Sequence, residues 1–287
     1  MKLDQLAFST NAFKQTSLED AIRTIAGIGY GGVEIMADAP HMRPDTFSSA
    51  DARHLRRVVE DLGLRVSNVN AFTGFCFPDG DTYHPTWVEP QAADRRRRVD
   101  HTLRAIELTA EIGGDHISLQ PAGPYMGRDI DELYDLYAEG LSQCLQQARS
   151  CGVTLGVEPE PGLLIERSDQ FMRLKDGYFA DEPLVQMNSD LGHFYCVRED
   201  PAEVLRRRRE VIRHVHLEDI TAERVHQHLV PGEGAMDFTG IFQALDEIGY
   251  GGWVTVELYP YTSTAADVAR RAFEHLQPMM DGAESSG

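Results

Sequence analysis

The chain has 287 residues, 42% of them hydrophobic, and a formal net charge of −19. It can bury a full-sized core, yet it holds no apolar run long enough to span a bilayer. It also lacks the basic balance that phosphate contacts demand of a nucleic-acid binder. Residues 1–13 carry Asp4, Gln5 and Asn11 where a signal peptide needs an apolar stretch. The expected location is therefore the cytoplasm, with no membrane and no nucleic-acid partner. Cys76, Cys144, Cys151 and Cys196 show no two-residue spacing of a zinc knuckle or redox motif and read as reduced, mostly buried thiols.

In chain order, the first predicted strand lies near 5–10. It runs into Ser9-Thr10-Asn11-Ala12, without the glycines of a dinucleotide-binding turn. Ser17-Leu-Glu-Asp20 resembles a capping box that opens a helix. Ile28-Gly29 closes that helix before a strand near 32–36. The same junction, an apolar residue and a glycine ahead of an apolar strand, recurs at Leu62-Gly63, Ile112-Gly113, Cys151-Gly152 and Ile248-Gly249. Glycine just past a helix is the usual left-handed cap. Strands follow near 65–70, 115–120, 153–158, 185–190, 212–217 and 253–258. Ile28-Gly-Tyr-Gly-Gly32 is echoed by Ile248-Gly-Tyr-Gly-Gly252, as expected of repeated units.

Eight strands in 287 residues give about 36 per unit, near the ~30 of a βα repeat. The predicted fold is a closed (β/α)₈ TIM barrel over 1–277, with 278–287 as a flexible tail. An open doubly wound sheet is the alternative. The longest loop, 70–90, holds Phe72, Phe75, Phe77, Tyr83, His84 and Trp87 and is expected to cover the active face. Arginine runs at 95–98 and 206–209 stand among acids and read as solvated helix faces.

Four strand ends carry a metal-type ligand: Glu158, Asp190, His216 and Glu257. Strand side chains alternate, so Thr154, Gly156 and Glu158 share one face, and Trp253, Thr255 and Glu257 share another. The apolar set should face the helices and the polar set the barrel interior. Barrel active sites lie at the C-terminal ends of the strands. Three carboxylates and an imidazole converging there call for a cation. Three oxygens and one nitrogen suit Mn²⁺ or Mg²⁺, with Zn²⁺, Fe²⁺ and Co²⁺ open.

The stretches Gly29-Tyr-Gly-Gly-Val-Glu-Ile35, Val157-Glu-Pro159, Asp190-Leu-Gly-His193, His214-Val-His-Leu-Glu-Asp219, Pro231-Gly-Glu-Gly-Ala-Met-Asp-Phe238 and Gly249-Tyr-Gly-Gly-Trp-Val-Thr-Val-Glu257 together resemble the xylose isomerase-like TIM-barrel superfamily of sugar isomerases and epimerases. The resemblance implies one divalent metal on Glu158, Asp190, His216 and Glu257. It also implies acid/base roles for Glu158 and Glu257, as in ketose 3-epimerases, and a substrate contact at His193. Ketose epimerases carry an arginine six residues after the metal histidine; here that position is Ala222, with Arg224 two residues on. Arg224, His228 and Glu34 are further candidates for substrate contact, with Glu34 alternatively supporting a ligand from behind. His226 is a candidate for an active-site role and Glu160 a candidate hydrogen-bonding neighbour; His214 either orients a ligand or is a polar interior residue, and His116 reads as a satisfied interior histidine.

The expected activity is isomerisation or epimerisation of a ketose or polyol-like substrate through an enediolate. The alternative is dehydration of a keto-sugar or cyclitol at the same site. A phosphodiesterase is disfavoured by the charge. Homo-oligomerisation is left open.

Overall fold

The computed structural model of the protein describes residues 2–72 and 83–281. Its eight parallel strands are β1 (Leu6–Ser9), β2 (Gly32–Met36), β3 (Arg65–Asn70), β4 (His116–Leu119), β5 (Thr154–Val157), β6 (Val185–Asp190), β7 (Ile212–Leu217) and β8 (Val254–Val256). They pair in sequential order and close β8 onto β1. Each lies inside its predicted stretch, so the closed barrel stands and the open sheet does not. The helices are α1 (Leu18–Ile28), α2 (Ser49–Asp61), α3 (Ala92–Glu111), α4 (Ile130–Cys151), α5 (Ser168–Tyr178), α6 (Leu191–Cys196), α7 (Pro201–Arg208), α8 (Phe238–Glu247) and α9 (Ala265–Asp281). None of the described helices is long and apolar enough to cross a membrane.

The helix signals work as local chemistry dictates. Ser17 caps α1 by accepting from the Asp20 N–H, and Gly29 ends it at φ +119°, where a Cβ would be strained. Asp200 caps α7 ahead of Pro201. α9 continues through Pro278 to Asp281, into the stretch expected to fray; residues 282–287 lie outside the described residues.

Val33, Ile35, Ile117, Leu155, Val215 and Val254 form part of the buried hydrophobic core between strands and helices. Each contributes about 1.5–3 kcal/mol by leaving water. The barrel interior is polar instead. Asn68 donates to Glu34 Oε2 at 2.7 Å and to Ser118 Oγ at 2.9 Å, and its Oδ1 accepts from His116 Nδ1 at 2.8 Å. His116 stacks on His214 with ring centroids 5.2 Å apart. Two register shifts arrange this interior: one beside Ser67 pairs Glu34 with Asn68, and one beside Arg213 pairs Asn188 with His214.

Asp219 shapes the loop after β7. Its carboxylate accepts from the N–H groups of Ile220, Gly232, Gly234 and Met236 at 2.8–3.1 Å. The Pro-Gly-Glu-Gly-Ala-Met stretch is thereby wrapped around one side chain.

One expectation needs correction. The run at 206–209 does pair with surface acids such as Glu203 and Glu247, but in the run at 95–98, Arg98 is only 1% exposed. Its Nε donates to the Pro85 carbonyl at 2.7 Å and its Nη1 to the Phe72 carbonyl at 3.3 Å, so it ties the two described flanks of the long loop. Trp87 is buried edge-on against Tyr137, with ring centroids 5.7 Å apart, and does not line the active face. Phe75, Phe77 and Cys76 lie outside the described residues.

Candidate metal centre and its cavity

Glu158 and Glu257 directly follow β5 and β8, Asp190 closes β6, and His216 is next to last in β7. All four are buried, and one donor atom from each lies within 4.8 Å of the others. His216 Nδ1 is 2.8 Å from Glu158 Oε1, 3.8 Å from Glu257 Oε2 and 4.0 Å from Asp190 Oδ2. Strand alternation accounts for the convergence, since each residue continues the inward-facing set of its strand.

The remaining atoms of these residues are held by neighbours. His216 Nε2 meets Glu34 Oε2 at 2.6 Å, which fixes the ring and leaves Nδ1 for the cluster. Glu257 Oε1 accepts from Asn11 Nδ2 at 2.7 Å and from Asn70 Nδ2 at 2.9 Å. Asp190 Oδ1 caps α6 by accepting from the His193 N–H at 2.8 Å. Glu158 Oε2 is buried with no hydrogen-bond partner among the described residues, and the Asp190 carboxylate also meets the buried side chain of Glu218.

The electrostatics describe an anionic cluster that compensates with protons. Burial would lower the His216 pKa, but Glu34, Glu158 and Glu257 together lift it well above the ordinary value. Burial would raise Glu34, but the charge and hydrogen bond of His216 bring it down to about 2. Burial lifts Glu158, and lifts Glu257 well above the carboxylate range, against the pull of His216. One orphaned Glu158 oxygen, the Asp190 carboxylate, the His216 ring nitrogen facing them and the Glu257 carboxylate make a donor set that fits a divalent cation.

A cavity of about 210 Å³ opens above the cluster, lined among others by Glu158, Glu257, His193, His228, Lys14 and Tyr259. His193 and His228 therefore stand where a substrate contact was expected. Glu34 does not: it is fully buried behind His216, the supporting position that was its alternative reading. Arg224 does not either. Its guanidinium lies 3.9 Å over the Tyr195 ring and donates to the Tyr195 carbonyl, outside the cavity. That carbonyl and ring satisfy it more fully than an open loop position would.

Sequence reasoning missed Asn11, Asn70 and Lys14. Asn11 and Asn70 stand at the ends of the first and third strands, so the rule that found the acids would have found them had amides been counted. Lys14 carried no signal beyond being one of three lysines.

Residues 22–279 match the family model described as xylose isomerase-like TIM barrel. The inosose dehydratase of Clostridium beijerinckii is 32% identical over 263 residues, covering 85% of this chain and 83% of that protein. The inosose dehydratase of Lacticaseibacillus casei is 24% identical over 294 residues, covering 95% and 93%. Among solved structures, a D-tagatose 3-epimerase-like protein superposes with a TM-score of 0.80 at 20% identity, covering 97% of this chain and 99% of that one. The IolI protein with a bound zinc atom gives 0.80 at 17% identity, covering 98% and 99%. At such identities the structural likeness speaks for the fold alone.

Proposed function

Because this chain belongs to the xylose isomerase-like TIM-barrel family, we propose that it is a metal-dependent dehydratase of a keto-cyclitol or keto-sugar of the inosose class. The observation that carries the reading is the placement of Glu158 and Glu257, both raised by burial, in one metal-type cluster on the floor of a small cavity. Elimination is preferred over epimerisation because the curated relatives that span most of the chain are inosose dehydratases. A divalent cation on Glu158, Asp190, His216 and Glu257 supplies Lewis-acid polarisation of a substrate carbonyl.

The protein's own residues do the rest. Glu257, its carboxylate oriented by the amides of Asn11 and Asn70, is the base that takes the proton beside the carbonyl. The electron pair left behind forms the enediolate, and its collapse breaks the neighbouring C–O bond. Glu160 lines the same cavity, and burial followed by the charge of Glu158 lifts its pKa well above the usual range. It is placed to give a proton to the leaving hydroxyl, which departs as water. The remaining enol rearranges to a vicinal diketone. His193 and His228 line the approach to the reacting carbons.

The epimerase reading keeps one specific support: two carboxylates on a common cluster could serve opposite faces of the enediolate. Incubating the metal-loaded protein with an inosose and a panel of free ketoses separates the two. Diketone absorbance with stoichiometric loss of water is expected from the inosose. Inversion of a ketose, with solvent deuterium at the inverted carbon and no water lost, would overturn the dehydratase reading.

A further inference from the structure

The cavity above the carboxylates has a second wall that the reaction above does not use. Met36, Phe72 and Tyr83 line it. Met36 ends β2 and Phe72 follows β3. In the closed ring these strands stand across from β6 and β7, which are followed by His193 and His228. Phe72 and Tyr83 meet edge to face, with ring centroids 6.2 Å apart. One side of the cavity is therefore apolar, and the other carries the oxygens and nitrogens.

The backbone behind the apolar side is held by side chains from the body of the barrel. Phe72 and Tyr83 belong to no strand or helix, so their carbonyls need donors from elsewhere. Arg98, on α3, donates from Nη1 to the Phe72 carbonyl at 3.3 Å and from Nε to the Pro85 carbonyl at 2.7 Å. Gln120, directly after β4, donates from Nε2 to the Tyr83 carbonyl at 3.3 Å. Its own carbonyl is fixed by the Tyr137 hydroxyl at 3.0 Å. On its other side Phe72 gives its N–H to Asn70 Oδ1 at 3.2 Å, so the residue is gripped from both directions.

Arg98 and Gln120 are both buried. A guanidinium is costly to bury, and packing alone would be served as well by an apolar side chain. Arg96, in the same run, shows the ordinary alternative by pairing with Asp100 on the solvated face. What arginine adds at position 98 is a planar fork that reaches one carbonyl on each flank of the wall.

We propose that Arg98 and Gln120 are positioning residues for the substrate: from outside the cavity they set the wall of Phe72 and Tyr83 against which the C–H face of the substrate ring packs. The inference rests on the reading of the substrate as a ring-shaped polyol. Such a ring shows C–H bonds as well as hydroxyls, and an apolar wall opposite the polar groups fixes which way it lies.

The first measurement needs no substrate. Amide hydrogen exchange is followed at Phe72, Thr86 and Trp87 in full-length wild type, Arg98→Lys and Gln120→Met. Lysine keeps the charge but is a point donor, and methionine keeps the length of Gln120 without its amide. Arg98→Lys should speed exchange about tenfold or more at all three amides, as expected for a lost charged hydrogen bond. Gln120→Met should speed only Thr86 and Trp87, and it tests the same wall should Arg98→Lys not fold. The control Arg96→Ala should change none. Steady-state kinetics of the metal-loaded proteins with an inosose then reads the wall itself. Both variants should raise KM roughly three- to tenfold, the worth of a displaced aromatic contact, with kcat within about twofold of wild type. Unchanged exchange at Phe72, Thr86 and Trp87, faster exchange spread along α3 and the strands, or a fall in kcat at constant KM would each overturn the proposal. A wild type that does not turn over an inosose would sink the reaction instead, and the exchange pattern would still decide the clamp.

Discussion

The two halves of the barrel carry different chemistry. The strands β5 to β8 end in charge: Glu158, Asp190, His216 and Glu257. The strands β1 to β4 answer mainly with amides and hydroxyls: Asn11 and Asn70 grip Glu257, and Asn68 and Ser118 hold the layer beneath. Glu34, an acid on that side, points across the barrel at His216. One half supplies the reactive groups and the other fixes their direction. The anionic half would spread apart by repulsion without the restraint opposite, since hydrogen bonds to charged groups are worth about 1.5–3 kcal/mol each.

The sharpest way to break this division is to remove a reactive carboxylate. Glu158→Gln and Glu257→Gln should each lower kcat/KM for an inosose by roughly 10²–10⁴, with further loss from weakened metal binding. Steady-state kinetics on metal-saturated protein checks this, and near-wild-type turnover in both variants would end the assignment. On the restraining side the losses should be smaller and of another kind. Glu34→Gln leaves all four ligands in place but frees the His216 ring. Its metal affinity should fall about 10- to 100-fold in a chelator competition. Asn70→Ala removes one of two donors to Glu257, so kcat should fall by on the order of tenfold while metal content holds, consistent with losing one charged hydrogen bond.

Acidity sharpens the same contrast. His216 has its folded pKa raised, so its stabilisation is complete below its unfolded pKa and lost as pH rises through the folded value. Glu34 is depressed to about 2, so its contribution is complete above its unfolded pKa and lost only as pH falls towards 2. Chelated protein should therefore melt at lower temperature on the alkaline side, measured by thermal scans across pH, whereas metal-loaded protein should not. The same proton competes with the ion, so metal affinity should weaken on acidification, by up to about tenfold per pH unit for one displaced proton. The smallest effect is expected at Arg224. Its guanidinium stacks on Tyr195 away from the cavity, and Arg224→Ala should change turnover by no more than roughly twofold.

The division also explains what the sequence made legible. All eight strands were placed because short buried strands are a local signal, and five of them follow a capping glycine. The charged half of the site was visible because an acid or histidine at a strand end is conspicuous. The restraining half was not, since Asn11 and Asn70 look like ordinary loop-entry residues until the closed barrel brings them to Glu257, 246 and 187 residues away. Glu34 was visible as a strand-end acid, but its partner His216 lies 182 residues on, so its supporting role emerges only from the closed sheet. Arg224 misled because sequence distance from His216 was taken as a guide to position. Arg98 misled because charge runs read as surface, and its burial depends on carbonyls of a loop that precedes it.

Asp219 has a consequence for tracing descent. The Pro-Gly-Glu-Gly-Ala-Met stretch is among the features by which kinship with this family is recognised, yet its geometry serves one carboxylate that accepts four backbone N–H groups and does not line the cavity. Inheritance can preserve that wrap for folding while the strand-end acids drift. A descendant that keeps Asp219 and its glycines but has lost Glu158 or Glu257 would still be identified as kin, and would be a retired enzyme rather than a working one.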